Sequence, residues 1–142
     1  MHYFNALIVD DEEDFLDTLM NRLKKRGIDV AGCASGEQAL ELLKEKIFDV
    51  VILDIKMPGG MDGIETLREI KKIRPDAEVL LLTGHGSVET SVEGMKEGAF
   101  DYLLKPVKLE KLLEKVAKAL DKKDTEEHRR QSEQIRKLLK YW

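Results

Sequence analysis

Three unbroken apolar runs, Ala6-Leu7-Ile8-Val9, Val50-Val51-Ile52-Leu53 and Val79-Leu80-Leu81-Leu82, constrain this chain more than anything else in it. Runs that do not alternate with polar residues suit strands covered on both faces, as in a parallel sheet between helices. A fourth run, Phe100 to Leu104, and a weaker one, Ile28 to Ala31, read as further strands, the weaker nearer an edge. Helical patterns lie between them. Phe15, Leu16, Leu19, Met20 and Leu23 form one apolar stripe that ends at Gly27. Ser35-Gly36-Glu37-Gln38 reads as a capping box opening a second helix. Ile64, Leu67, Ile70 and Ile73 make a third stripe, stopped by Pro75. Val88, Val92 and Met95 make a sparser fourth ending near Gly98, and Leu109, Leu112, Leu113, Val116 and Leu120 a fifth. Strand then helix, five times over, predicts an α/β domain with a mostly parallel sheet and right-handed crossovers. Five strands in about 120 residues match a flavodoxin-like doubly wound fold, strand order 2-1-3-4-5, better than a barrel or a six-stranded dinucleotide fold.

The 142 residues suffice for one domain and a short appendage. A net charge of −4 gives no general electrostatic reason to expect nucleic acid or an anionic membrane as partner. Composition shifts near residue 121: the first 121 residues are net acidic, whereas residues 122–142 carry seven basic and four acidic side chains. The expected organisation is a domain over 1–121 and a helical extension or linker over 122–142. Cys33 is the single cysteine, so neither an internal disulfide nor a cysteine pair for metal is available. No stretch approaches the roughly 18 apolar residues of a membrane span. The N-terminal MHYFNALIVDD lacks the basic and small-residue marks of a signal peptide, so a soluble cytoplasmic protein is expected.

In sheets of this kind ligands bind beyond the carboxyl ends of the strands. The first strand ends in Asp10-Asp11, followed by Glu12 and Glu13; the third ends in Asp54, the fourth in Thr83 and the fifth in Lys105-Pro106. Taken singly, such residues are caps, turn residues or solvated helix starts. Together they set carboxylates, a hydroxyl and an amine on one rim. Clustered carboxylates raise each other's pKa unless a cation neutralises them. An oxygen-only site with room for water suits magnesium, which Asp10 or Asp11 together with Asp54 could hold. A carboxylate beside a divalent ion and a lysine is a plausible nucleophile toward phosphorus. Lys105 would then neutralise phosphoryl oxygens and Thr83 donate a hydrogen bond to one of them.

The segments LIVDDEEDF, VVILDIKMPGGMDGIETL, VLLLTGHGS and GAFDYLLKPVKLEKL, in that order and spacing, resemble the receiver domain of bacterial two-component response regulators over roughly residues 3–121. The stretch GHGSVETSVEGMKEGAFDYLLKP is most similar to receivers of the nitrogen-regulation type. The resemblance implies that Asp54 is the phosphoacceptor, that Asp10 and Asp11 place magnesium, and that the backbone carbonyl of Lys56 is a further ion ligand. It implies that Thr83 is the switch hydroxyl, Lys105 the lysine that pairs with the phosphoryl group, and Tyr102 the aromatic switch. Pro106 would follow a cis peptide bond aiming Lys105 into the site. Gly84, without a side chain, would leave the phosphoryl pocket open. Gly59-Gly60 is a departure, since many relatives carry one residue between Pro58 and Met61.

The implied partners are a sensor histidine kinase or phosphotransfer protein and a downstream protein or output domain. Phosphorylation would repack the face of the fourth strand, fourth helix and fifth strand, residues 87–97 and 99–104, which would serve a partner or a homodimer. In the tail, Ile135, Leu138, Leu139 and Trp142 form a one-face helical stripe. With no strong breaker after Leu120, the fifth helix could run on as one rod; the stripe could equally fold back onto the domain, begin a linker, or bind a partner or second copy. Helix-turn-helix features for reading DNA are lacking. His128, among polar neighbours, reads as solvated. Two other functions compete. Haloacid-dehalogenase-like hydrolases want a second acid two residues after the nucleophile, where this chain has Lys56. A phosphorylation-independent adaptor would not need the complete set of Asp10, Asp11, Asp54, Thr83 and Lys105. No Gly-rich loop ending in Lys-Ser/Thr points to a nucleotide hydrolase.

Overall fold

The computed structural model describes residues 3–84, 88–122 and 126–141, and in it each apolar run becomes a strand of one sheet. The elements follow as β1 (Asn5–Val9), α1 (Glu13–Lys25), β2 (Asp29–Cys33), α2 (Gly36–Glu45), β3 (Val50–Asp54), α3 (Gly63–Ile73), β4 (Glu78–Thr83), α4 (Val88–Lys96), β5 (Asp101–Leu104), α5 (Leu109–Lys122) and α6 (Glu126–Lys140). All neighbouring strands are parallel, in the order β2-β1-β3-β4-β5. This is the predicted flavodoxin-like doubly wound sheet.

The two-residue period of a strand sends successive side chains to opposite faces, and here each face has its own core. Ala6, Ile8, Val50, Ile52, Leu80 and Leu82 pack with Leu16, Leu19 and Leu23 of α1 and Leu112, Leu113, Val116 and Leu120 of α5. Leu7, Val9, Val51, Leu53, Val79 and Leu81 pack with Ala39 and Leu43 of α2 and Leu67 and Ile70 of α3. Double coverage is why the central runs needed no polar alternation. The edge strand β5 does alternate: Leu103 is buried while Tyr102 and Leu104 are exposed.

Helix boundaries follow local chemistry. Gly27, at φ +80°, closes α1 in the left-handed conformation that glycine tolerates. Ser35 Oγ accepts the Gln38 N–H, while Gln38 Oε1 accepts the N–H of Ala34, one residue earlier than in the expected box. Asp62 caps α3 by accepting the Glu65 N–H at 2.8 Å.

Two regions differ from expectation. The stripe assigned to α4 does not face the core: Val92 and Met95 are exposed, and Ser91 and Gly94 are buried instead. Gly94 is the reason, since a Cβ there would lie 2.3 Å from Leu81 Cδ1, so the helix backbone comes close to the sheet at this position. The side chain of Val88, and Ser87 at the start of the proposed interaction face, lie outside the described residues, as does Trp142. In the tail, α5 and α6 are separate helices, not one rod. Ile135 is fully buried, and Leu138 and Leu139 pack against the α1–α5 core, so the apolar stripe is covered by its own chain. Polar contacts pin the arrangement. Asp121 accepts from Ser132 Oγ at 2.5 Å and pairs with Arg136 Nη2 at 2.5 Å. Asp49 accepts from Gln131 Nε2 at 3.1 Å and from the Asn5 N–H at 2.9 Å. His128 is not solvated as expected: its Nε2 lies 3.5 Å from Asp49 Oδ1, with its side chain 19% exposed. Asp49 supplies the polar environment that the local sequence did not reveal.

Candidate functional site

The carboxyl ends of β1, β3, β4 and β5 bring Asp10, Asp54, Thr83 and Lys105 to one rim, as the sheet order requires. Asp10 is fully buried, and Asp54 and Thr83 are nearly so. The Lys105 ammonium joins them, 2.8 Å from Asp10 Oδ2, 2.8 Å from Glu12 Oε1 and 3.6 Å from Asp54 Oδ2. It also lies 4.5 Å from the centre of the Phe15 ring, within cation–π range. The Lys105–Pro106 bond is cis.

Electrostatics on this rim are unbalanced. Burial first, then the negative charge of Asp10, push the Asp54 carboxyl up from 3.8 to about 6; Lys105 and the Lys56 N–H, which donates to Asp54 Oδ1 at 3.4 Å, pull the other way. Burial would lower the Lys105 ammonium, but its contacts with Asp10 and Glu12 and the charge of Asp54 outweigh that, and its pKa lies above the ordinary value. Asp10 Oδ1 accepts the Glu12 N–H at 2.9 Å. Asp10 Oδ2 is buried without an aligned hydrogen bond despite the nearby ammonium. With Asp54 beside it, the two buried carboxylates and Glu12 carry more negative charge than one ammonium offsets, a position that a further cation would satisfy.

Carboxylate oxygens of Asp10, Glu12 and Asp54 all lie within 4.8 Å of one another, close enough to share one ion. An all-oxygen set with both buried and exposed members fits magnesium, which keeps several waters. Asp11, expected as the second ion-placing acid, is half-exposed, and its neighbour Glu12 has the carboxylate that lies within this cluster. Lys56 is exposed and meets the site through its backbone N–H, which donates to Asp54 Oδ1. Thr83 Oγ1 donates to the Gly84 carbonyl at 3.2 Å, a contact that turns it toward the following turn. Among the described residues, a side chain on Gly84 would meet nothing within 4 Å. Tyr102 is 42% exposed, and Val92 and Met95 of α4 and Leu104 of β5 are exposed as well.

Sequence reasoning missed three residues. Glu12 read as part of a solvated helix start, and its carboxylate reaches across the rim. Phe15 read as core stripe, and its ring also underlies Lys105. Gly63, buried at the start of α3, donates its N–H to the Ile55 carbonyl at 2.8 Å, and a Cβ there would lie 2.4 Å from the Asp54 carbonyl. That approach fixes the loop after Asp54. The Gly59-Gly60 insertion sits on this loop, where Gly59 adopts φ +89° in open space.

Residues 6–117 match the family model of the response regulator receiver domain. The chain is 46% identical over 116 residues to the transcriptional regulatory protein ZraR of Escherichia coli K12, an alignment covering 82% of this chain and 26% of that one. Among solved structures, a receiver domain protein from Clostridium thermocellum superimposes with a TM-score of 0.79 at 39% identity, covering 84% of this chain and 96% of the other. NtrX from Brucella abortus gives 0.80 at 30% identity and covers 100% of this chain, which matches 30% of NtrX. The chain thus spans about a quarter of the length of the curated relatives it matches.

Proposed function

This chain belongs to the response regulator receiver family, and on that premise we propose that Asp54 accepts a phosphoryl group from a sensor histidine kinase or phosphotransfer protein. One observation carries the reading: Asp54 and Asp10 converge with Lys105 at the carboxyl edge of the sheet, the lysine 3.6 Å from the proposed acceptor. An Asp54 oxygen attacks phosphorus, the donor's bond to phosphorus breaks, and its electron pair leaves with the donor. The donor side chain takes up a proton from solvent as needed. Lys105 compensates the developing charge on the phosphoryl oxygens, and Thr83 turns its hydroxyl from Gly84 toward one of them. Asp10, Asp11 and Asp54 with the Lys56 carbonyl would hold magnesium, Asp11 after a side-chain rotation; Glu12 lies close enough to share it. When bound, the ion supplies charge neutralisation at the transferred group.

Movement of Thr83 frees space behind it for Tyr102 to turn inward and changes the face built from β4, α4 and β5. The small residues that seat α4, Ser91 and Gly94, suit that role. Exposed Val92, Met95, Tyr102 and Leu104 supply apolar area for a downstream partner or a second copy. The receiver unit is taken to end with α5 near residue 121, and residues 122–142 to be an extension docked upon it. The function is that of a phosphoacceptor switch in the cytoplasm, not turnover of a small molecule.

Incubation with acetyl phosphate and magnesium, read by intact mass, tests the assignment. One phosphoryl addition to the wild type that is absent from Asp54→Ala supports it. Hydrolysis of acetyl phosphate with no protein adduct points to the hydrolase reading and overturns this one.

A further inference from the structure

Glu12 occupies the cap position of α1 yet makes no side-chain cap bond; the first-turn acids Glu13 and Asp14 serve the helix dipole. Its carboxylate instead reaches Lys105, which is contributed by a strand end far along the chain, at 2.8 Å. Its N–H orients Asp10, the other carboxylate 2.8 Å from the same ammonium. Phe15, one turn on, offers its ring to the same cation. The ammonium therefore sits closer to Asp10 and Glu12 than to Asp54.

Resting on the receiver reading above, we infer that Glu12 is a positioning residue that holds Lys105 back from Asp54 until a phosphoryl group arrives. A lysine ammonium has three donors and no acceptor. To neutralise a phosphoryl group on Asp54 it must move toward Asp54, and the pair with Glu12 is the contact it can surrender. The Asp10 carboxylate is buried, so leaving it uncompensated costs far more than releasing a carboxylate that solvent can hydrate. Glu12, with its side chain 64% exposed, is such a carboxylate. The contact opposes the phosphorylated state and sets how strongly the acceptor must be charged before the lysine transfers.

The test is a thermodynamic cycle on beryllium fluoride, a phosphoryl mimic, at saturating magnesium. Binding by the wild type and its loss in Asp54→Ala check the receiver reading itself. Given that, Glu12→Gln is expected to bind the mimic about three- to tenfold more tightly, the range of a charge-assisted pair that is partly exposed. In a Lys105→Ala background the same exchange is expected to have no effect, because the inferred route runs through the lysine. Equal or weaker binding by Glu12→Gln, the result if Glu12 is chiefly an ion ligand, overturns the inference and leaves the receiver reading standing. So does an equal gain with and without Lys105. Failure of the wild type to bind the mimic overturns the reading on which the inference rests.

Discussion

Two acidic clusters sit at opposite ends of the sheet and are treated in opposite ways. At the amino-terminal end, Asp49 and Asp121 are surrounded by donors: Asn5, Gln131 and His128 for one, Ser132 and Arg136 for the other. At the carboxyl end, Asp10, Glu12 and Asp54 share one lysine, Lys105, among the described residues. The pKa directions record the difference. The Arg136 hydrogen bond holds the Asp121 carboxyl below its ordinary value, while burial pushes Asp54 up to about 6. Groups whose burial raises their pKa beside other charges concentrate at functional sites, and Asp54 is such a group while Asp121 is not.

The largest expected effect breaks the docking of α6, which brings the donors to Asp49 and Asp121. Ile135→Ala empties a fully buried position under α6 and should cost about 2–4 kcal/mol in denaturant unfolding. If α6 were only loosely laid on the domain, the loss would stay under about 0.5 kcal/mol.

Next comes the carboxyl end. The folded pKa of Asp54 lies above its unfolded value of 3.8, so its favourable contribution is present below that value and is lost as pH rises through about 6. Asp54→Asn should therefore stabilise the magnesium-free protein by about 1–3 kcal/mol at pH 7.5, with the gain shrinking toward pH 4. Thermal unfolding across that range measures it, and a gain that grows in acid would contradict the electrostatics given for the rim.

The smallest effect has the opposite sign. Asp121 has a lowered folded pKa, so its contribution is present above the ordinary carboxylate range and is lost as pH falls through the folded value. Its side chain is 39% exposed, and screening limits the loss in Asp121→Asn to about 0.5–1 kcal/mol at neutral pH. Opposite pH slopes for the two Asp→Asn variants would sharpen the comparison; parallel slopes would dissolve it.

The strand–helix order was legible in the sequence because doubly covered strands must be apolar throughout. The rim was legible because each strand's last residue can be read once the strands are known. What escaped depends on side-chain reach. That Glu12 and not Asp11 joins the cluster turns on which way two adjacent carboxylates point. His128 and Asp49 are far apart in the chain, and only the docking of α6 introduces them. The break between α5 and α6 falls where no Gly or Pro marks it. The α4 stripe misled because Gly94, an unremarked small residue, decides which face of the helix reaches the sheet.

That glycine gives α4 a bearing in place of a socket. A helix locked by large side chains must withdraw each one before it shifts; a helix that meets the sheet at a glycine has little to withdraw there. Part of its restraint comes from Arg68 of α3, which grips Glu93 at 3.1 Å and Glu97 at 3.0 Å from a partly hydrated position. Such a grip loosens as salt rises, so the stiffness of this surface is set in part by the surrounding electrolyte, and not by packing alone.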